Sequence, residues 1–348
     1  MTTNTGNANA LYTQQRMLFM ALDPVHIGAG GYRLGRVDMT ITREPGTGLP
    51  KIPGTSLAGA TRHYASMRYG KPEAAGQHKK FKGDLAKCPI IYTFGTATDA
   101  NGAQKAGESK NEAGTVSIGD AYILFFPVSS MAGPVWVSTV DRIVDAWGEK
   151  SVGLPPKDGQ EVEPTDEVVV TNLNWGKDEL NLGWLLFAIK KGLQVDAPQV
   201  VKERPEWQAV SGRIALVSQK LFSQIVNSNL EVRTSVSIDP ETGAAEDKAL
   251  FTYEAIPRAT WLWCDVIEDD YKKDRGGKGQ FPYTKQFDPK NGIENAGEEL
   301  DKPWTRPLDV VNAGVKLIEY LGVGGMGTRG FGRMRCVAVW EVREGEGQ

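Results

Sequence analysis

The chain is poor in the residues that build many enzyme sites. Its three histidines, His26, His63 and His78, among 348 residues argue against a histidine-based metal site or a triad. The three cysteines, Cys88, Cys264 and Cys336, are odd in number and far apart. That spacing offers neither a disulfide framework nor a zinc cluster, and it fits a reducing cytoplasm. No apolar run approaches the roughly 20 residues that span a bilayer. The opening MTTNTGNANALYTQQR is polar and lacks a signal-peptide core, so residues 1–16 are expected to be a flexible tail. Excess positive charge is missing as well. The formal net charge is -3, so any nucleic-acid binding must rest on local patches rather than on an overall basic footprint.

Glycine and proline are plentiful, at 40 and 19 residues, and they call for many turns and close backbone approaches. The 40% hydrophobic and 24% charged fractions are ordinary for a globular chain. The length suits one large domain with insertions, or two domains.

The glycines concentrate in two stretches. The first is LDPVHIGAGGYRLGRVDMTITREPGTGLPKIPGTSLAGATR, from Leu22 to Arg62. Gly28, Gly30, Gly31 and Gly35 form a loop. Val37, Met39 and Ile41 then alternate with Asp38, Thr40 and Thr42, the period of a half-buried strand, which puts Asp38 on the polar side. Thr55 or Ser56 is placed to cap a helix reaching about Tyr69, and a helix N-terminus favours an anion. The second stretch holds Gly322, Gly324, Gly325, Gly327, Gly330 and Gly332. It is not a Walker loop, because no G-K-[ST] follows. It also runs from helix to strand, the reverse of a dinucleotide fingerprint.

Between these stretches, Val140–Trp147 reads as a helix and Ile214–Val226 as a helix candidate. Pro127 reads as a loop between two strands. Thr234–Ile238 and Ala249–Tyr253 flank the turn Asp239-Pro240-Glu241-Thr242-Gly243, a hairpin signal. Thr260–Ile267 is strand-like. Leu308, Val311, Val315, Ile318 and Leu321 have helical spacing, and Val337–Val342 alternates as a closing strand. Arg68, Lys71, Lys79, Lys80, Lys82 and Lys87 are either a solvated loop or a basic surface. Asp120 is open to a structural or a catalytic reading.

The ordered pieces resemble the RAMP proteins of CRISPR systems. The opening part is carried by His26, Gly28, Gly30, Gly35, Val37, Asp38, Ile41, Arg43, Glu44, Pro50, Ile52, Pro53, Gly54, Ser56, Leu57, Gly59 and Arg62. The later segment of Ser117, Asp120, Ala121, Phe126, Pro127, Val128, Ser130 and Gly133 is similar to the RAMP group that forms the backbone of the type III-B Cmr effector. The C-terminal glycine-rich loop completes the pattern. One departure stands out: relatives often carry Lys where this chain has Ala58, a contact that Lys51 is placed to replace.

The resemblance implies an α+β fold with a ferredoxin-like, RRM-type core in a single domain over 17–348. Insertions are expected at about 70–112, 145–210 and 268–303, the last of them mobile, with a thumb hairpin at 230–257. It implies a cytoplasmic subunit with guide (cr)RNA, target RNA, copies of itself in a filament and other type III-B subunits as partners, and no membrane. It also implies metal-dependent cutting of the paired target at regular intervals, with Mg2+ or another divalent ion. The ribose 2′-hydroxyl attacks the adjacent phosphate, leaving a 2′,3′-cyclic phosphate and a 5′-hydroxyl. Asp38 matches the residue required for cutting, as metal ligand or as base. The RNA contacts implied are His26, Gly28, Gly30, Arg33, Arg36, Arg43, Ser56, Arg62, Gly324, Gly327, Arg329, Gly330 and Arg333. The alternatives are a non-catalytic scaffold or capping subunit of a type III complex, and a guide-processing endoribonuclease.

Overall fold

The computed structural model of the chain describes residues 12–30, 37–76, 88–96, 113–157, 159–238, 241–243, 245–272, 281 and 304–342. The elements run β1 (Thr13–Ala21), β2 (Lys51–Ile52), α1 (Gly54–Arg68), α2 (Pro89–Phe94), β3 (Val116–Ile118), β4 (Ala121–Val128), β5 (Val135–Ser138) and α3 (Val140–Trp147). Next come β6 (Val152–Gly153), β7 (Pro156–Lys157), β8 (Gln160–Glu161), β9 (Val168–Thr171), β10 (Glu179–Leu182), β11 (Leu185–Lys191) and β12 (Gln194–Val195). They are followed by α4 (Gln199–Lys202), α5 (Pro205–Val210), β13 (Ile214–Leu216) and α6 (Gln219–Ser228). The chain closes with β14 (Glu231–Ile238), β15 (Ala245–Ala255), β16 (Trp261–Glu268), α7 (Pro307–Leu321) and β17 (Met334–Val342).

The fold is mixed α/β, and the chain groups into two compact units. The first unit comprises Met1–Arg16, Gly54–Gly119 and Asp265–Ile318. Its core gathers Ala65, Ile90, Ile91, Tyr92, Trp304, Val310 and Ala313. A Cβ added at Gly314 would come within 2.2 Å of the Thr61 carbonyl oxygen, so α1 and α7 touch backbone to backbone there. Arg16 forks onto Asp265, and Gln15 donates to Asn312 at 2.9 Å. Strand β1 thus begins at Thr13, inside the segment expected to be a tail.

The second unit comprises Met17–Pro53, Asp120–Cys264 and Glu319–Gln348. Its main sheet is ordered β10-β11-β9-β13-β5-β4-β16-β1-β17, while β6–β12, β7–β8 and β14–β15 pair separately. Among the registered pairs most are antiparallel, β11–β9 and β13–β5 being parallel. Phe125, Trp207, Trp261, Ile143, Ile214 and Leu216 lie in its core. Burial of such side chains contributes about 1.5–3 kcal/mol each.

Three readings of the sequence change here. Pro127 sits inside β4, not in a loop. Strand β16 begins at Trp261, opposite Phe125, so Pro127 has only Trp136 of β5 as a strand neighbour and its missing N–H breaks no second ladder. The run 214–226 is a buried strand followed by α6, with Ser218 capping the helix through an acceptor contact from the Leu221 N–H. Residues 37–42 form single bridges rather than a continuous strand, because their partner on one side is the irregular opening loop (Gly28 opposite Ile41, Met39 opposite Tyr253).

Candidate nucleic-acid interface and cleavage site

Hairpin β14–β15 organises the site, with Val232 opposite Glu254, Thr234 opposite Thr252 and Val236 opposite Leu250. Side chains alternate across a strand, so Thr252 and Glu254 of β15 reach segment 38–43 while Phe251 and Tyr253 reach the C-terminal loop. Residues 239 and 240 of the expected turn lie outside the described set.

Asp38 is exposed and bound to Thr252 three times. Its Oδ2 accepts from the Thr252 N–H at 2.7 Å and from the Thr252 hydroxyl at 2.9 Å, and its own N–H donates to that hydroxyl oxygen at 3.1 Å. The Thr252 backbone donor, then its hydroxyl, hold the Asp38 carboxyl below its ordinary value. The other oxygen, Oδ1, accepts no hydrogen bond among the described residues. A neighbouring backbone bridge runs from Met39 N–H to Thr252 O at 3.0 Å, and Glu254 N–H donates to Met39 O at 3.1 Å.

Glu254, 7% exposed, is the buried junction. Oε1 accepts from the Ile41 N–H at 3.0 Å and Oε2 from Arg43 at 2.8 Å. Its carbonyl meets His26 Nδ1 at 2.7 Å. A carbonyl only accepts, so His26 carries a proton on Nδ1. His26 is 5% exposed, which makes it a support of the loop rather than a surface contact. Arg43 is engaged internally too, by Glu254, Gly48 O and Asn227.

The C-terminal loop docks on the opening loop. Gly325 N–H donates to His26 O at 2.9 Å and Gly332 N–H to Pro24 O at 2.9 Å. Gly324 has φ +87°, and a Cβ there would lie 2.5 Å from the His26 carbonyl oxygen; this glycine is required by the chain's own packing. Gly327 and Gly330 instead face open space, with nothing near an added Cβ. Gly28 and Gly30 are exposed at the loop opposite. Arg329 is exposed and lies over the Phe251 ring at 5.2 Å, while Arg233 lies over Phe331 at 4.8 Å. Phe331 and Phe251 both contact Tyr253. A guanidinium stacked on a ring keeps its N–H edges for phosphate oxygens; this describes Arg329, whereas Arg233 donates Nε to Glu231 at 2.6 Å. Arg333 is half-exposed beside Asp23, whose carboxylate pushes its pKa up.

Other expected contacts fall elsewhere. Arg33 and Arg36 lie outside the described residues, as do Lys79, Lys80, Lys82 and Lys87. Ser56 and Arg62 belong to the first unit, not to the unit that holds Asp38. Helix α1 begins at Gly54, so Ser56 sits within its first turn rather than capping it. Arg62 donates to Ala74 O and to Gly95 O, at 2.9 Å each through Nη2, an internal brace. Lys51 pairs with Asp120, which gives Asp120 a structural task and occupies the lysine proposed to replace the missing contact at Ala58. Neither Thr252 nor Arg233 is among the contacts expected from sequence. Thr252 carries no motif signal; Arg233, next to a predicted hairpin strand, did offer a charge.

The family model described as the RAMP superfamily matches residues 18–335. The CRISPR system Cmr endoribonuclease Cmr4 of Pyrococcus furiosus is 29% identical over 261 residues, covering 73% of this chain and 81% of that protein. The backbone is similar to a chain of the type III-B Cmr-beta complex bound to cognate target RNA, with a TM-score of 0.57 at 14% identity, over 94% of this chain and 99% of that one. It is also similar to oligomeric Cmr4 from Pyrococcus furiosus, with a TM-score of 0.52 at 20% identity, over 95% and 99%. At such identities the structural likeness speaks for the fold.

Proposed function

The chain belongs to the RAMP superfamily, and from that membership we propose that it is a backbone subunit of a type III-B CRISPR effector, repeated along a guide RNA and cutting the target RNA paired with it. The observation that carries this reading is the exposed Asp38 carboxylate, fixed at the base of the hairpin with one oxygen open. A ferredoxin-like, RRM-type core agrees with the chain order β1-α1-β4-β16-α7-β17 and with the strand order β4-β16-β1-β17. That is a β-α-β-β-α-β unit with its first strand next to its third and fourth.

In the proposed reaction the ribose 2′-hydroxyl attacks the neighbouring phosphate, and the 5′-oxygen of the next nucleotide leaves. The hairpin and the two glycine loops hold the strand, and fixing an in-line geometry alone lowers such a barrier by several kcal/mol. Arg329 binds phosphate. A carboxyl held acidic by Thr252 stays ionised near neutral pH, which suits charge stabilisation or metal binding better than proton abstraction. A divalent ion fits this donor: magnesium takes one or two carboxylates and completes its shell with water and substrate phosphate. Among the described residues no group of three or more His, Cys, Asp and Glu is placed to hold a metal; the open Asp38 Oδ1 is the oxygen we assign to such an ion. When bound, the ion neutralises charge on the phosphate oxygens. No helix among the described residues is long and apolar enough to cross a membrane, and we place the complex in the cytoplasm.

The test is reconstitution with guide RNA and partner subunits. Labelled target RNA complementary to the guide is expected to yield regularly spaced fragments ending in 2′,3′-cyclic phosphate, while unpaired RNA stays intact. Cutting of the precursor repeat RNA instead would make the chain a processing nuclease.

A further inference from the structure

Asp38 belongs to no strand or helix. Its carboxylate would ordinarily turn among staggered rotamers. Yet its hydrogen bonds from side chain and backbone N–H converge on one residue of a regular element, Thr252 of β15. The Thr252 hydroxyl works in both directions, donating to Oδ2 while accepting from the Asp38 N–H, which a hydroxyl's single donor and two lone pairs permit. The amide of Thr252 adds a second donor to Oδ2. The three bonds fix both the backbone and the rotamer of Asp38, and Oδ2 takes both donors.

We propose that Thr252 is a positioning residue for RNA cleavage, clamping one oxygen of Asp38 so that the other is presented to the RNA. The inference rests on Asp38 being the cleaving residue. Thr252 itself touches no reacting atom and acts through Asp38. Its neighbours Phe251 and Tyr253 bind the opposite face of β15 to Phe331 of the C-terminal loop. The clamp is therefore seated on a strand held from both sides, and the hairpin sets the carboxylate's place. Valine keeps the branched shape and strand preference of threonine and removes only the hydroxyl.

The experiment compares Thr252→Val, Thr252→Ser and Asp38→Ala in the assembled complex with guide RNA. It measures target affinity and the single-turnover cutting rate at saturating target. Thr252→Val is expected to slow cutting about ten- to a hundredfold, the scale of an ångström-level misplacement, with target affinity and fragment spacing unchanged. Thr252→Ser restores the hydroxyl and is expected to cut near the wild-type rate. Wild-type cutting by Thr252→Val, in a series where Asp38→Ala is inert, overturns the clamp and leaves Asp38 as the cleaving residue. Loss of target affinity or assembly in Thr252→Val, or a serine variant as slow as the valine, also overturns it by making Thr252 a packing residue. Cutting by Asp38→Ala removes the premise and the clamp together.

Discussion

The Asp38 carboxylate accepts two hydrogen bonds from Thr252, and that partnership has a consequence for pH. Its carboxyl pKa is lowered in the folded chain. Ionisation there adds stability above the unfolded value, and the contribution is lost as pH falls through the lower folded value. A carbon-13 titration of the Asp38 carboxyl is expected to give a midpoint below that of an ordinary aspartate, and Thr252→Val is expected to move it upward. An unchanged midpoint would contradict the hydrogen-bonding account. Glu254 is buried and joined to Arg43 and the Ile41 amide. Arg43→Ala leaves the buried Glu254 carboxylate without its cation, at about 3–5 kcal/mol, and should lower the denaturant midpoint strongly; Glu254→Ala leaves the more exposed guanidinium, which water can reach, and should lower it by less.

At the level of elements, much was legible because local chemistry and tertiary role agree. Helix α3 has a Thr139 cap and a Gly148 stop, and it appears where the pattern puts it. The hairpin follows from its turn residues and the alternation of its strands. Legibility failed where a partner distant in sequence decides the outcome. Arg43 and Arg62 look like phosphate ligands in a motif, but their guanidinium groups are held by Glu254 and by the carbonyls of Ala74 and Gly95. The strand over 214–216 hides in an apolar run whose periodicity does not separate strand from helix, although Ser218 marks the boundary. Gly324 was read as an RNA contact, and its neighbours show a packing need. Gly324→Ala forces a Cβ against the His26 carbonyl at a left-handed φ. It is expected to destabilise by about 1–3 kcal/mol and to weaken guide binding, read by thermal melting and a binding titration. Gly327→Ala, with open space around it, should leave the melt unchanged.

For the whole molecule, a net charge of -3 means that RNA affinity depends on a few placed cations. Each phosphate contact to a single strand contributes about 0.7 to the slope of log affinity against log salt. Arg329→Ala is expected to lower that slope by about this amount without changing sequence preference; an unchanged slope would remove Arg329 from the interface. The expected insertions at 70–112 and 268–303 lie largely outside the described residues, so the legible part of the architecture is the mixed helix-and-strand composition and the two glycine-rich stretches near its ends.

The central claim is that Asp38 cuts RNA held by an assembly of such subunits. The most direct measurement is cleavage of labelled target by the reconstituted complex, wild type against Asp38→Ala, with magnesium and with chelator. The account predicts regularly spaced fragments that disappear in the variant and in chelator, with target affinity retained. Fragments of the same spacing and yield from Asp38→Ala would contradict it and assign the chemistry to another residue or subunit.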